Sequence, residues 1–297
     1  MRINTTSGYG AMKLASFKID GKASYGVVVD EINVIDIGAV ASDRWADLKA
    51  VLAAGALDEI KDISSEGAPE YALNDIEFLL PITAPDKILC IGRNYKNYIA
   101  TLEVKKPLNH PSMFVRVASS FAAHEQAIEK PDASDQLDFE TELAVVIGTR
   151  GRNISEADAL SHVAGYTILN EGSIRDWQKR GAQNAPGKNF YHSGSMGPWM
   201  VTADEIPDPS ALTITTRLNN APMQEGSTDM MIYNIPFLIS YFSQMTWLEP
   251  GDIIATGSPS GSGGSRDPQL WMKSGDRLEA EISQIGTLQN TVENQLS

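Results

Sequence analysis

Cysteine is nearly absent from this chain, and its scarcity restricts the compartments in which the protein works. Cys90 is the single cysteine among 297 residues, so no disulfide can form within the chain. This composition is typical of a reducing compartment, and we predict a cytoplasmic protein. The opening residues lack the charged and apolar pattern of a secretory signal peptide. Residues 1–11 are polar and aperiodic, which predicts a disordered extension.

Long apolar runs and positive charge are also scarce. The most apolar stretch, residues 230–248, is interrupted by Asn234, Pro236 and Gln244, which argues against a transmembrane helix and favours a strand followed by a buried helix. The chain has 24 Lys and Arg against 38 Asp and Glu, a net charge of −14. This charge argues against nucleic acid or an anionic membrane as a partner. An anionic small molecule would need local positive charge or a metal ion.

The pattern of apolar residues predicts an α+β protein with two domains. Residues 13–37 alternate in the manner of three short antiparallel strands, and residues 44–55 have helical spacing that ends at a glycine. Strand patterns dominate after Pro81 and Pro85, so we place a domain boundary near residue 80. We expect a small N-terminal domain over residues 12–80 and a mostly β catalytic domain over 81–297.

Three acidic residues recur at every second position around the start of a buried strand. Asp138, Glu140 and Glu142 precede a wholly apolar run, and in an extended chain this spacing puts their carboxylates on one face. Glu171 adds a further carboxylate at the end of a later strand. Such oxygen ligands suit Mg²⁺, Mn²⁺ or Ca²⁺. The spacing equally fits an exposed edge where solvent surrounds the acids, and both interpretations stay open on spacing alone.

Several separate motifs resemble the fumarylacetoacetate hydrolase superfamily, especially its bacterial two-domain members that act on 2-oxo acids. They are, in chain order, "ILCIGRNYKNY", "LDFETELAVVIG", "GYTILNEGSIRDWQ", "PGKNF" and "ATGSPSGSG". The resemblance implies a mixed β-roll, a homodimer, and Mg²⁺ or Mn²⁺ held by Glu140, Glu142 and Glu171. The third acid is usually aspartate in this family, and glutamate keeps the oxygen ligand. Asp138 is expected outside the ligand set.

The same resemblance assigns residues to substrate binding. It implies that Arg175, Gln178 and Lys188 line the substrate site, where Lys188 would stabilise an enolate or protonate a carbanion. The Gly- and Ser-rich residues 255–264 would, taken alone, indicate a flexible loop. Because the corresponding family segment holds the substrate carboxylate, Thr256 and Ser258 become candidate substrate contacts.

The water-activating pair of the family's hydrolases is missing. Those enzymes carry histidine and glutamate where this chain has Tyr98 and Thr101. Tyrosine ordinarily titrates near pH ~10 and is a poor base at neutral pH. Glu103, His124 and His192 are other candidate bases, although the histidines are more simply surface residues. Tyr98 itself either moves a proton or only fills the space of the missing histidine.

These features predict a metal-dependent enzyme that acts on a C–C bond of a 2-oxo or β-dicarbonyl acid, as a hydrolase, decarboxylase or lyase, in aromatic or related carbon catabolism. One alternative is a tautomerase or hydratase of the same superfamily. Another is a catalytically inactive protein that binds an oxyacid ligand. The substrate, the native metal and the reaction branch stay open at this stage.

Overall fold

The structure, a computed structural model, describes residues 12–100 and 110–296. The extension predicted over residues 1–11 lies outside the described residues, as do Thr101 and Glu103. Strands dominate the described part and helices are few. The predicted α+β class is therefore confirmed.

The strands of the described residues are, in chain order, β1 Lys13–Ile19, β2 Lys22–Val29, β3 Asn33–Asp36, β4 Tyr71–Ala72, β5 Glu77–Phe78, β6 Ile88–Gly92, β7 Ser112–Arg116, β8 Phe121–Ala122, β9 Ile128–Lys130, β10 Leu137–Asp138, β11 Thr141–Ile147, β12 Val163–Asn170, β13 Ser173–Ile174, β14 Gly194–Thr202, β15 Thr213–Leu218, β16 Ala221–Ser227, β17 Ile253–Ala255, β18 Arg277–Ile282 and β19 Gly286–Asn294. The α-helices are α1 Gly38–Ala41, α2 Leu48–Ala54, α3 Leu57–Glu66, α4 Lys96–Ala100, α5 Arg175–Gln178, α6 Ala185–Lys188 and α7 Ile235–Met245. Short 3₁₀ turns cover Leu73–Asp75, Ala118–Ser120, Ala159–His162, Ala203–Glu205, Pro209–Ala211, Thr228–Met230 and Gly263–Ser265.

The described strands form one large mixed sheet and two smaller sheets. The large sheet has 12 strands in the order β4-β3-β2-β1-β14-β12-β11-β17-β6-β7, with β5 paired to β1 and β8 paired to β14. A second sheet has the order β16-β15-β18-β19-β9, and β10 pairs with β13. Most neighbours are antiparallel, but β17 and β6 run parallel.

The central strand β11 is buried on both faces, which explains its unbroken apolar sequence. Leu143, Val145 and Ile147 belong to one apolar cluster, which α7 also joins. Ala144 and Val146 belong to the other cluster, on the side of α2 and α3. Alternate residues of a strand point to opposite faces, so the helices cover the sheet from both sides.

The strands of the first eighty residues continue the large sheet. β1 pairs with β2 on one side and with β14 on the other, with Lys13 opposite Val201 in the second pair. The boundary near residue 80 therefore falls within elements that share one continuous sheet. The two-domain organisation over residues 12–80 and 81–297 stays a prediction.

Capping residues fix the helices that the sequence predicted. The helix predicted over residues 44–55 is confirmed as α2: the Asp47 carboxylate accepts the Ala50 N–H at 2.8 Å, and Gly55 ends the helix with φ 64°. The Asn234 side chain likewise accepts the Phe237 N–H at 2.9 Å and begins α7. The short polar cap in each case satisfies an N–H that the helix itself leaves unpaired.

The apolar stretch over residues 230–248 contains a buried helix, as predicted, but the strand predicted before it is wrong. That segment is a 3₁₀ turn, after which Met231 makes a single bridge to Tyr95. Phe242 is buried in the core of this chain and is therefore not available for contact with a partner. Trp247 is exposed, and the Cζ atom of Arg150 lies 3.7 Å from the centroid of its ring. The homodimer stays a prediction. Among the described helices, none is both long and apolar enough to span a membrane.

His124 gives the fold a dependence on pH. Its ring packs edge-on against Phe78 and its Nδ1 accepts the Gln289 N–H at 3.1 Å, so the neutral imidazole is the stable form. Burial lowers the pKa of His124 from 6.5 to about 4. The exposed Glu125 carboxylate, 4.0 Å away, does not offset this effect. Because the pKa is lower in the folded state, the associated stability is present above pH 6.5 and is lost as the pH falls towards 4.

We therefore expect His124→Asn to flatten the acid dependence of stability. Asparagine keeps an acceptor for the Gln289 N–H and does not titrate. Between pH 7 and pH 4.5 the wild-type protein should lose about 2 kcal/mol more unfolding free energy than the variant, measured by urea denaturation. The control is His110→Asn at an exposed histidine, which should follow the wild type. Parallel curves for wild type and His124→Asn would contradict this assignment.

Candidate active site

The order and direction of the central strands bring several chain segments to one edge of the large sheet. β11 runs antiparallel to β12 and to β17, with Thr141 opposite Asn170 and Ala144 opposite Ala255. β17 runs parallel to β6, with Ala255 beside Cys90. The start of β11 and the ends of β12, β17 and β6 therefore meet.

A cavity of about 410 Å³ opens at this edge. Its wall includes Glu140 and Glu142 around the start of β11, Glu171 after β12, Ser258 after β17 and Arg93 after β6. The volume is in the range of small-molecule sites. The wall also contains Tyr98, Arg175, Gln178, Lys179 and Lys188. Of the nine residues predicted for the site, the structure thus brings eight together around one cavity.

The Lys188 ammonium lies between two carboxylates of the predicted metal site. Its Nζ donates to Glu140 Oε2 at 2.9 Å and to Glu171 Oε2 at 2.7 Å. Lys188 ends the short helix α6, which packs so closely on α5 that a Cβ on Gly187 would lie 2.4 Å from the backbone nitrogen of Gln178. Glycine before the lysine therefore lets the two short helices approach each other and places the ammonium among the acids.

Arg175 is fixed by two carboxylates, one of which also orders the glycine-rich loop. Its Nε donates to Asp138 Oδ2 at 2.7 Å, and its Nη2 lies 3.0 Å from Glu140 Oε1. Asp138 also accepts the N–H groups of Gly263 and Gly264, at 2.7 and 3.0 Å. Asp138 thus lies outside the expected metal ligands and connects the arginine to the loop.

The charges in this cluster keep Glu140 ionised and Lys188 protonated. Burial opposes ionisation of Glu140, but the nearby Arg175 and Lys188 charges prevail and lower its pKa to about 2. Burial likewise opposes the Lys188 charge, and the neighbouring Glu140 and Glu171 carboxylates outweigh it and raise the pKa of Lys188. At neutral pH the lysine is therefore a proton donor held beside two anionic groups.

Glu142 is the carboxyl group whose charge is least compensated. Its Oε2 accepts the Gly257 N–H at 2.8 Å, yet burial and then the charges of Glu171 and Glu140 raise its pKa well above the usual value. Glu171 Oε1 is buried and accepts no hydrogen bond from any described residue. Both observations indicate that a positive charge near Glu142 and Glu171 would stabilise this part of the site.

The donor set in this place fits a hard divalent cation, since carboxylate oxygens of three glutamates face the cavity. Within residues 12–100 and 110–296, however, no three acidic, histidine or cysteine side chains are arranged closely enough to chelate an ion. The two salt bridges of Lys188 account for part of this, because the ammonium already lies between Glu140 and Glu171. The residues fit the cation chemically, and two of the three carboxylates that would bind it, those of Glu140 and Glu171, are paired with the lysine.

Two of the predicted substrate contacts differ in position. Ser258, which lies within the Gly- and Ser-rich segment 255–264, lines the cavity. Thr256 is fully buried and donates its hydroxyl to Leu143 O at 2.8 Å, so it fastens the loop to β11 and does not line the cavity. Gln178 lines the cavity and accepts from Arg175 Nη1 at 3.0 Å.

Tyr98 lines the cavity, and the candidate histidines do not. Burial, followed by the Glu140 charge, raises the pKa of Tyr98, so its phenol stays protonated at neutral pH and cannot act as a base. His124 is half-buried and packs edge-on against Phe78, and His192 stacks on Tyr191. All four histidines of the chain are among the described residues, and none lines the cavity. The histidine bases considered from sequence are therefore wrong.

Sequence reasoning missed three cationic residues of this region. Arg93 and Lys179 line the cavity. Arg116 is buried behind the turn that follows Glu171, where it donates to Gly172 O at 3.1 Å and Ser193 Oγ at 3.2 Å. An arginine within the apolar strand β7 was a visible signal for such a buried role, since an uncompensated buried charge is costly.

Comparisons with known proteins identify the family of this chain. The family profile described as "Fumarylacetoacetate (FAA) hydrolase C-terminal" matches residues 87–293. The oxaloacetate tautomerase fahd2 of Xenopus laevis, a mitochondrial protein by its name, is 36% identical over 289 residues, covering 95% of this chain and 90% of that protein. The fumarylacetoacetate hydrolase of Exiguobacterium antarcticum has a TM-score of 0.85 and 31% identity, covering 96% of this chain and 100% of that chain.

A further solved relative carries a metal ion. Maleylpyruvate hydrolase of Sphingobium sp. SYK-6, in complex with manganese(II) and pyruvate, has a TM-score of 0.79 and 26% identity, covering 96% of this chain and 100% of that chain. The matches to both the family profile and full-length relatives settle the assignment. The chain belongs to the fumarylacetoacetate hydrolase family, whose members include hydrolases, isomerases and tautomerases.

Proposed function

We propose that this protein is a tautomerase that interconverts the keto and enol forms of oxaloacetate or a closely related 2-oxo acid. The observation that carries the proposal is the absence of any histidine from the cavity wall in the described residues. Tautomerisation only moves a proton between carbon and oxygen, so it needs no group that activates water. The tautomerase relative, similar over 95% of this chain, supports the same branch.

Lys188 is the group best placed to move the proton. In ketonisation its ammonium gives a proton to the substrate carbon next to the 2-oxo position, and the amine that results takes the proton released from the enol hydroxyl. The lysine ends as it began, and the substrate is isomerised without gain or loss of atoms. Glu140 and Glu171 hold the ammonium in place, while Arg175 adds a fixed positive charge that favours the enolate.

We further propose that Glu140, Glu142 and Glu171 hold Mg²⁺ or Mn²⁺. When bound, the ion would supply a Lewis acid for the 2-oxo group and its adjacent carboxylate. The uncompensated Glu142 and the unpaired oxygen of Glu171 support this assignment.

Tyr98 is expected to donate a hydrogen bond to the enol oxygen, since its phenol is protonated at neutral pH. Tyr98→Phe keeps the ring and removes the donor. We expect kcat for tautomerisation to fall about tenfold with little change in KM, the size of one hydrogen bond that strengthens in the transition state. Steady-state rates of enol disappearance measure this. Turnover within threefold of wild type would show that the tyrosine only fills space.

A substrate panel separates the tautomerase from the other candidates. Metal-supplemented protein is mixed with enol oxaloacetate and with acylpyruvates, and enol absorbance, pyruvate and carboxylic acid products are followed. Rapid ketonisation with little cleavage supports the proposal. Faster cleavage than ketonisation would favour the C–C bond enzyme predicted from the sequence. Thermal stabilisation by these acids without any turnover would identify a binding protein.

A further inference from the structure

The cavity is positively charged although the protein is strongly acidic. Its wall holds four cationic side chains, Arg93, Arg175, Lys179 and Lys188, against the three glutamates. A bound divalent ion would add to this excess. The chain as a whole has a net charge of −14, so this local excess favours a ligand with more than one negative charge.

Only part of this positive charge is neutralised by ion pairs among the described residues. Arg175 is paired with Asp138 and Glu140, and Lys188 is paired with Glu140 and Glu171. Arg93 is exposed at the cavity and makes no ion pair with any residue in the described ranges. Its guanidinium is therefore available to a ligand.

The backbone holds Arg93 at this place. The residue follows β6 directly and has φ 62°, a conformation that costs energy for any residue with a side chain. The next residue, Asn94, is fully buried, and its amide donates to Thr256 O at 2.8 Å and to Tyr233 O at 2.9 Å. The side-chain oxygen Oδ1 of Asn94 accepts the Tyr233 N–H at 2.8 Å. Three hydrogen bonds thus anchor the strained segment.

Arg93 also lies close enough to Tyr98, another residue of the cavity wall, to affect its phenol. Its charge is one of those that lower the pKa of Tyr98, against the larger effect of burial. A guanidinium presents parallel N–H groups that match the two oxygens of a carboxylate, which an ammonium cannot do. Lys179, the other cation of the wall that has no ion pair within the described residues, carries an ammonium and has no such geometry.

We propose that Arg93 binds the carboxylate of the substrate that is remote from the 2-oxo group, and so selects dicarboxylic over monocarboxylic 2-oxo acids. This inference rests on the proposed tautomerase function and specifies its substrate class. Arg175 and Lys188 would then serve the 2-oxo-carboxylate end, and Arg93 the other end.

The test compares pairs of ligands in which one member has the remote carboxylate and the other has a phenyl group or a hydrogen atom in its place. For turnover, the pair is enol oxaloacetate and enol phenylpyruvate; for binding without turnover, it is malate and lactate, titrated calorimetrically in Mg²⁺ buffer. Arg93→Gln should lower kcat/KM for oxaloacetate and affinity for malate by about tenfold or more, with phenylpyruvate and lactate changed less than threefold. Arg93→Lys should recover only part of the loss. Lys96→Gln, an exposed cation on α4 that does not line the cavity, is the matched control.

Equal losses for both members of each pair would overturn the proposal, because Arg93 would then act on the shared end or on folding. A selective loss in Lys179→Gln instead of Arg93→Gln would also overturn it. If the wild type prefers malate to lactate through Arg93 but tautomerises nothing, the proposed function fails while this assignment of Arg93 stands.

Discussion

Lys188→Met abolishes tautomerisation, with kcat reduced by about 10³-fold or more. The ammonium is both the proton carrier and the charge nearest the enolate in this account, and each role is worth about 10²-fold or more in enzymes. Methionine is unbranched and only one heavy atom shorter than lysine, and it cannot carry the proton. Stopped-flow measurement of enol oxaloacetate decay gives the rate. Lys273→Met, at an exposed lysine that does not line the cavity, should leave it unchanged.

A measurement of metal binding distinguishes the loss of the proton carrier in Lys188→Met from general damage to the site. In the wild type the ammonium is salt-bridged to Glu140 and Glu171, the same carboxylates that would bind the ion. Lys188→Met should therefore bind Mn²⁺ at least as tightly as the wild type, measured by calorimetry. Turnover within tenfold of wild type, with normal folding, would remove Lys188 from the mechanism.

Glu142→Gln should weaken Mn²⁺ or Mg²⁺ binding by about 10²-fold, because it removes one of few protein oxygens that carry charge. The amide oxygen can still accept the Gly257 N–H, so the loop is retained. Turnover should fall with metal occupancy. Glu156→Gln, at an exposed acid outside the cavity, serves as the control.

The same variant has an opposite effect on the metal-free protein. The raised pKa of Glu142 means that its ionised form is disfavoured in the folded state at neutral pH. Glu142→Gln should therefore raise the Tm in chelator while it reduces the rise in Tm that metal gives the wild type. Full metal affinity in Glu142→Gln would place the ion elsewhere.

Much of this site was predictable because its residues follow strands with clear patterns. Period-2 spacing placed Glu140 and Glu142 on one face, and the apolar run after them predicted β11. The family resemblance added Arg175 and Lys188, which lie where the metal-binding and substrate-binding residues were expected.

Other parts depended on contacts that no local pattern reports. Asp138 shares the spacing of the two glutamates, yet its partners are Arg175 and the N–H groups of a loop more than a hundred residues later. Thr256 matches the motif, but its hydroxyl is used by β11. Arg93 lies within a quoted motif but received no role from the sequence, because only the fold shows that it lines the cavity and has no ion pair among the described residues.

Deuterium exchange tests the central claim most directly. Wild-type protein with Mg²⁺ is mixed with oxaloacetate in D₂O, and NMR follows deuterium at the carbon next to the 2-oxo group together with pyruvate formation. We predict exchange that rises in proportion to enzyme, is lost in Lys188→Met, and far exceeds the formation of pyruvate. Exchange no faster than in buffer, or pyruvate formed as fast as deuterium enters, would contradict the assignment as a tautomerase.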